Sequence, residues 1–211
     1  MAILTPVGVC NSALIQLGDI PITSFDDGTQ RSDTCRDEYP KARDTVLEVH
    51  PWNFACSYGT LQRIADAPAW GWAYQYVLPT EPYCLRVLQM QHNMPFEVGV
   101  DPLEGRVLFT NEATANIRYI WRQTDLERWT GLAVEALTIF MAKVLAPFVT
   151  GKQTTRDAMI MELKQWLAAA GDRDAHEGTP HAVPPNRFLA QVRHRTGGGS
   201  RFDMERIGTG L

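Results

Sequence analysis

Apolar residues recur at helical spacing near the start of the chain, alternate at strand spacing through its middle, and return to helical spacing from Leu132. The first helix is predicted from Thr5 as cap and Pro6 at the first position, with Val7, Cys10, Leu14 and Leu17 on one face and Gly18 as the stop. A second is predicted from about Ser32 to Val49, where Cys35, Tyr39, Ala42, Val46 and Val49 form one apolar stripe. Its back carries Arg36, Asp37, Lys41, Arg43, Asp44 and Glu48, a solvated face or, in an oligomer, one that meets a neighbour. Pro40 removes a backbone hydrogen bond and should kink or split this helix. His50-Pro51 ends it, because the residue before proline is pushed out of the helical region. Trp52 and Phe54 then fall on one side of an extended segment, where they can lid the helix pair.

Five short strands are predicted after a loop rich in Pro, Ala and Gly: Tyr74 to Leu78, Cys84 to Met90, Phe96 to Val100, Arg106 to Phe109 and Ala115 to Trp121. In the last, Ile117, Tyr119 and Trp121 alternate with Arg118, Ile120 and Arg122, giving an aromatic face and a partly basic one. The basic face is read as solvated, with an interface or lumen lining as the sharper alternative. Leu132, Ala136, Leu137, Phe140, Met141, Val144, Leu145 and Phe148 mark a third helix closed by Thr150-Gly151-Lys152. A fourth runs through Ala158, Met159, Met161, Leu163, Trp166, Leu167 and Ala170 to a stop at Gly171.

Composition changes after Gly171. Asp172 to Asn186 is polar and rich in Pro, Gly and His, as a linker is. The segment from Arg187 to Leu211 holds Arg187, Arg193, Arg195, Arg201 and Arg206 among Phe188, Leu189, Val192, Phe202, Met204 and Ile207, broken by Gly197-Gly198-Gly199-Ser200. It has too little apolar surface for its own core, so it is either an arm that orders on a partner or a disordered tail.

The whole therefore reads as an α+β protein, mainly a helical bundle of about four helices with an inserted small antiparallel β-meander and an extended C-terminal arm. Residues 1–55 and 126–171 make the helical body, 56–125 the β-rich subdomain, and 172–211 the linker and arm. With 45% hydrophobic and 21% charged residues, the composition is that of a folded chain. The net charge of -4 argues against a nucleic-acid-binding module throughout, though not against a local basic arm. Met1 to Pro6 has no basic flank followed by an apolar core, so no secretory signal is expected. No membrane span is expected either, since Leu132 to Val149 is interrupted by Glu135, Thr138, Lys143 and Pro147.

Candidate chemistry changes this picture little. Gly151-Lys152-Gln153 has Ala146 where a phosphate loop needs glycine and Gln153 where it needs Ser or Thr. Asp26-Asp27-Gly28 lacks the alternate oxygen ligands and closing glutamate of a calcium loop. His176 and His181 have no companion ligands, and His50 has no carboxylate partner at ligand spacing, so it reads as a helix-end histidine. The cysteines at 10, 35, 56 and 84 form no Cys-x-x-Cys pair and are simplest as buried free thiols. No catalytic, cofactor-binding or metal-binding residue is assigned, and an enzyme is not expected.

The helix pair ending in His50-Pro-Trp-Asn-Phe-Ala55, the aromatic stretch Pro68 to Leu78, Cys84-Leu-Arg-Val87 and the closing helices from Leu132 to Ala170 resemble, over about residues 1–170, the head-to-tail adaptor proteins of short-tailed bacteriophages, of the tail tubular protein A type. The resemblance implies a virion protein at the head-tail junction, assembled in the host cytoplasm into a ring, commonly a dodecamer. Such a ring sits under the portal protein, receives the tail nozzle protein, and lets DNA pass without sequence-specific binding. On that reading Arg187, Phe188, Leu189, Arg193, Arg195, Arg201, Phe202 and Arg206 are the partner-binding residues. The alternatives are a head-completion or tail-terminator protein of a long-tailed phage, and a DNA-binding protein that uses the basic arm.

Overall fold

The computed structural model describes residues 4–149 and 153–176, which belong to one compact unit, Met1–Glu177. Among them are four α-helices, α1 Pro6–Gln16, α2 Gln30–Val49, α3 Gly131–Val149 and α4 Gln153–His176. Seven strands lie between α2 and α3: β1 Cys56–Thr60, β2 Gln62–Arg63, β3 Tyr74–Val77, β4 Cys84–Met90, β5 Phe96–Asp101, β6 Gly105–Thr110 and β7 Asn116–Trp121. The protein is thus α+β, with two small antiparallel sheets.

Local chemistry sets the helix ends. The Thr5 hydroxyl accepts the Gly8 N–H at 3.0 Å and Pro6 occupies the first turn. At the other end of α1, Gly18 takes φ +75, while its N–H reaches the Ile15 carbonyl and that of Asp19 reaches Leu14. That pairing satisfies two carbonyls the helix leaves unmet. Asn11 then clamps the backbone of Ile22 with two 2.8 Å hydrogen bonds, fixing the path into α2. There Thr29 and Ser32 exchange side-chain and backbone hydrogen bonds in a capping box.

Pro40 does not split α2, which runs unbroken for 20 residues. It lies on the exposed back of the helix, so the carbonyl of Arg36 that loses its partner faces water. Trp52 and Phe54 differ from the extended arrangement expected of them. Asn53–Ala55 is a single 3-10 turn, and the two rings stack at 6.0 Å with Phe54 against Trp129 at 5.2 Å. The outcome is still a lid: Trp52 is buried, and its indole N–H donates to the Val46 carbonyl at 2.9 Å in the last turn of α2.

α1, α2 and α4 all pack on α3. By length and apolar composition α3 could cross a membrane, which its interruptions had argued against; half of that stretch is buried, as in the core helix of a bundle of elements. α4 continues past Gly171 to His176, because a single glycine costs a helix only about 1 kcal/mol.

The strands do not make one meander. They form a three-stranded sheet in the order β1-β7-β4 and a four-stranded sheet in the order β2-β3-β6-β5, all pairs antiparallel. β7 is central to the first sheet, and strand alternation sends its side chains into two cores. Ile120 joins the apolar cluster of the helices, together with Leu85 of β4. Ile117 and Tyr119 face the other way, into a cluster with Tyr76, Leu78 and Leu108 near the second sheet. The three-stranded sheet is therefore the middle layer between helices and outer sheet.

Candidate interaction surface

The basic positions of the strand region are occupied at the joints between layers. Arg122, just after β7, donates from Nε and Nη2 to Asp44 of α2 at 2.9 and 2.8 Å, and its guanidinium lies 4.3 Å from the centre of the Tyr83 ring. Asp44 also takes Arg43, at 2.8 Å. From β4, Arg86 reaches the Glu48 carbonyl at 2.6 Å, an acceptor the last turn of α2 leaves without an intrahelical partner. From β6, Arg106 donates to the carbonyls of Cys84 and Leu85, joining the outer sheet to the middle one. Arg118 of β7 stands 3.6 Å from the Cys56 sulfur and 6.0 Å from the Tyr58 ring centre. The reading of Arg118 and Arg122 as a solvated face is corrected accordingly: both are half-buried and hold neighbouring elements.

Large apolar side chains are exposed on α3, α4 and β1, at Phe148, Met161 and Tyr58, and most strongly in the outer-sheet region. Trp70 is 87% exposed, Val100 75% and Leu103 94%. Each is placed by an identifiable local device. Trp70 sits in the loop between β2 and β3 beside Gly71, whose φ is +85. The next indole, Trp72, donates to Glu97 Oε2 at 3.0 Å, and Ala73 N–H donates to Asn111 Oδ1 at 3.0 Å. The loop is thereby pinned to the outer sheet with Trp70 left in solvent.

β5 pairs only with β6, so one of its edges carries backbone N–H and C=O groups with no strand beside them. Phe96, Val98 and Val100 share one face of β5 at period two. Phe96 packs on the sheet core, Val98 is 39% exposed, and Val100 projects beyond the core. On the opposite face Gly99 leaves room for the Phe109 ring; a Cβ there would lie 2.6 Å from Phe109 Cε2. At the hairpin tip, Asp101 Oδ1 accepts the N–H groups of Leu103 and Glu104 at 2.8 and 3.0 Å. The Glu104 N–H, then that of Leu103, hold the Asp101 carboxyl below its ordinary pKa. Gly105 closes the turn at φ +77, leaving Leu103 at the apex.

The open β5 edge, with Val98, Val100 and Leu103 exposed beside Glu97, Asp101 and Glu104, can bind another polypeptide by contact and strand addition. Among the described residues no group of three His, Cys, Asp or Glu is placed to hold a metal ion. His50 caps the end of α2 and meets Trp52 edge-on at 4.6 Å. The residues assigned to partner binding from sequence, Arg187, Phe188, Leu189, Arg193, Arg195, Arg201, Phe202 and Arg206, lie outside the described residues, as does Thr150-Gly151-Lys152.

Trp70 and Leu103 do carry a signal in the sequence. Trp70 lies between Ala69 and Gly71 in a loop composition, and Leu103 lies within Asp-Pro-Leu-Glu-Gly, whose turn residues flank it on both sides. A large apolar residue at a tight turn has no core to enter. The fold and this surface define an α+β protein that offers a binding edge. Neither the protein-family models nor the curated proteins compared with the chain match it.

Proposed function

We propose that the protein is a structural subunit of a bacteriophage virion, a head-to-tail adaptor that assembles into a ring, commonly twelvefold, between the portal protein and the tail nozzle. DNA passes through its lumen without sequence-specific contacts. In this reading the four helices form a bundle that gives the ring a stiff body, the outer sheet supplies a contact surface, and residues 172–211 form the arm that docks on the portal. Phe188, Arg193, Arg195 and Phe202 are its anchors.

The observation that carries the reading is the exposed Val100 and Leu103 at the open β5 edge and hairpin tip of the outer sheet, with Trp70 exposed separately in the loop between β2 and β3. Exposed apolar residues gathered on one edge mark an association surface. Charge favours a head-to-tail contact there. If two β5 edges paired antiparallel about Gly99, Glu97 would face Asp101, and like charges directly opposite are destabilising. An edge that rejects its own copy but offers apolar anchors fits a heterologous interface, the kind that closes into a ring. The element order and the words His50-Pro-Trp-Asn-Phe-Ala55 and Cys84-Leu-Arg-Val87 support the adaptor class in particular.

Truncation before Arg187 tests the arm. Binding of the shortened chain to the portal should be lost or weakened while its circular dichroism and Tm stay unchanged. Equal portal binding by the truncated and full chains would remove the arm from the proposal.

A further inference from the structure

The open edge of β5 restricts what can be laid beside it. Val98 and Val100 lie on one face of the strand with Phe96, and Glu97, Gly99 and Asp101 lie on the other. Gly99 is taken up with the Phe109 ring, so that second face offers an added strand its carboxylates. A complementary strand is therefore apolar at alternate positions and basic between them. A slip of one residue would set its apolar side chains against the acids. Residues 187–195, Arg-Phe-Leu-Ala-Gln-Val-Arg-His-Arg, have this alternation. At period two Phe188, Ala190 and Val192 share one side, while Arg187, Gln191, Arg193 and Arg195 share the other with Leu189. In an antiparallel pairing with Val192 opposite Val98, Ala190 falls opposite Val100, Gln191 opposite Gly99 and Arg193 opposite Glu97. Leu189 falls opposite Asp101, whose carboxylate already accepts the Leu103 and Glu104 N–H groups. Two β5 edges would set acid against acid, whereas this pairing sets Arg193 against Glu97. Residues 177–186 span up to about 35 Å when extended, so the segment is not held to the body that carries it.

We propose that residues 187–195 of one copy add as an antiparallel strand to the β5 edge of a neighbouring copy. The contact rests on the ring proposed above and belongs to the ring before a portal claims the same arm. Each copy gives its segment to one neighbour and receives a segment from the other, a head-to-tail exchange that repeats around a ring. Backbone hydrogen bonds along the edge supply affinity, and the alternation of side chains fixes the register.

Full-length Val98→Cys and full-length Val192→Cys are mixed, oxidised mildly with copper-phenanthroline and mapped by mass spectrometry. No portal is present, so a failure here leaves the docking of the arm on the portal standing. Positions directly opposite on paired strands are close enough to bridge. The expected result is an interchain link between positions 98 and 192. It should be several-fold weaker with Gln191→Cys in place of Val192→Cys, because that side chain lies on the other face. It should also weaken several-fold when the receiving copy carries Glu97→Gln, which keeps an acceptor for the Trp72 indole but removes the charge. The unaltered full-length protein gives a second measurement: amides of residues 96–101 should exchange several-fold more slowly at high than at low protein concentration. No link from variants that keep the parent Tm, equal linking by positions 191 and 192, a link formed only when positions 98 and 192 are both cysteine in one chain, a homodimer linked through position 98, or exchange independent of concentration would each overturn the proposal.

Discussion

Single side chains carry much of the coupling between elements. Trp52 does two things at once, filling the end of the helical core and donating to the Val46 carbonyl in the last turn of α2. Trp52→Phe keeps most of the packing but loses that hydrogen bond, and chemical denaturation should show a loss of about 0.5–1.5 kcal/mol. Trp52→Ala adds a cavity and should cost about 3–5 kcal/mol. Parent-like stability of Trp52→Phe would show that the hydrogen bond matters little. Tyr39 offers a test by pH. Burial raises its phenol to about 12, and the hydroxyl meets no hydrogen-bond partner among the described residues. Below the unfolded value near 10 both states keep the proton and stability is unaffected. From there up to about 12 the unfolded chain ionises first, so stability falls as pH rises through the folded pKa. Tyr39→Phe should flatten that alkaline limb and leave the neutral-pH Tm nearly unchanged. An identical alkaline limb in the variant would contradict the assignment.

Between elements, the joint of α2 and β7 rests on Asp44, shared by Arg43 and Arg122. These side chains are 13 to 36% exposed, so screening reduces their worth. A double-mutant cycle on Asp44 and Arg122 should give a coupling of about 0.5–1 kcal/mol that shrinks with added salt. A coupling near zero would reduce Arg122 to its contact with Tyr83. This scale also shows what the sequence could and could not disclose. β4 was legible to the residue, since Cys84 to Met90 is a short apolar-rich run set off by Pro82 before it and Asn93 after it. β1 was not: Cys-Ser-Tyr-Gly-Thr has no alternation of its own and becomes a strand because β7 pairs with it. For the same reason a run of five strands looked like one meander, whereas the central place of β7 and the division into two sheets are set by long-range pairing. Pro40 and Gly171 looked like breaks, but Pro40 lies on the exposed back of α2, and a single glycine costs α4 only about 1 kcal/mol. The arginines of the strand region were read from charge alone, and only the fold reveals that Arg86, Arg106 and Arg122 reach backbone or carboxylate on the next layer.

For the whole molecule, the surfaces that matter were the least legible, because exposure is a property of the folded chain. Leu103 at the hairpin apex contributes almost no burial within the subunit. Leu103→Asp should therefore leave Tm within about 2 °C of the parent yet weaken assembly, read as a lower ring fraction at fixed concentration. If assembly is unchanged, the outer-sheet edge is not the interface. The most direct measurement is electron microscopy of the purified full-length protein mixed with its portal. A closed ring of copies seated on the portal, lost on truncation before Arg187 and depleted by Leu103→Asp, is the expected result; bare portals beside unassembled protein would contradict the adaptor function.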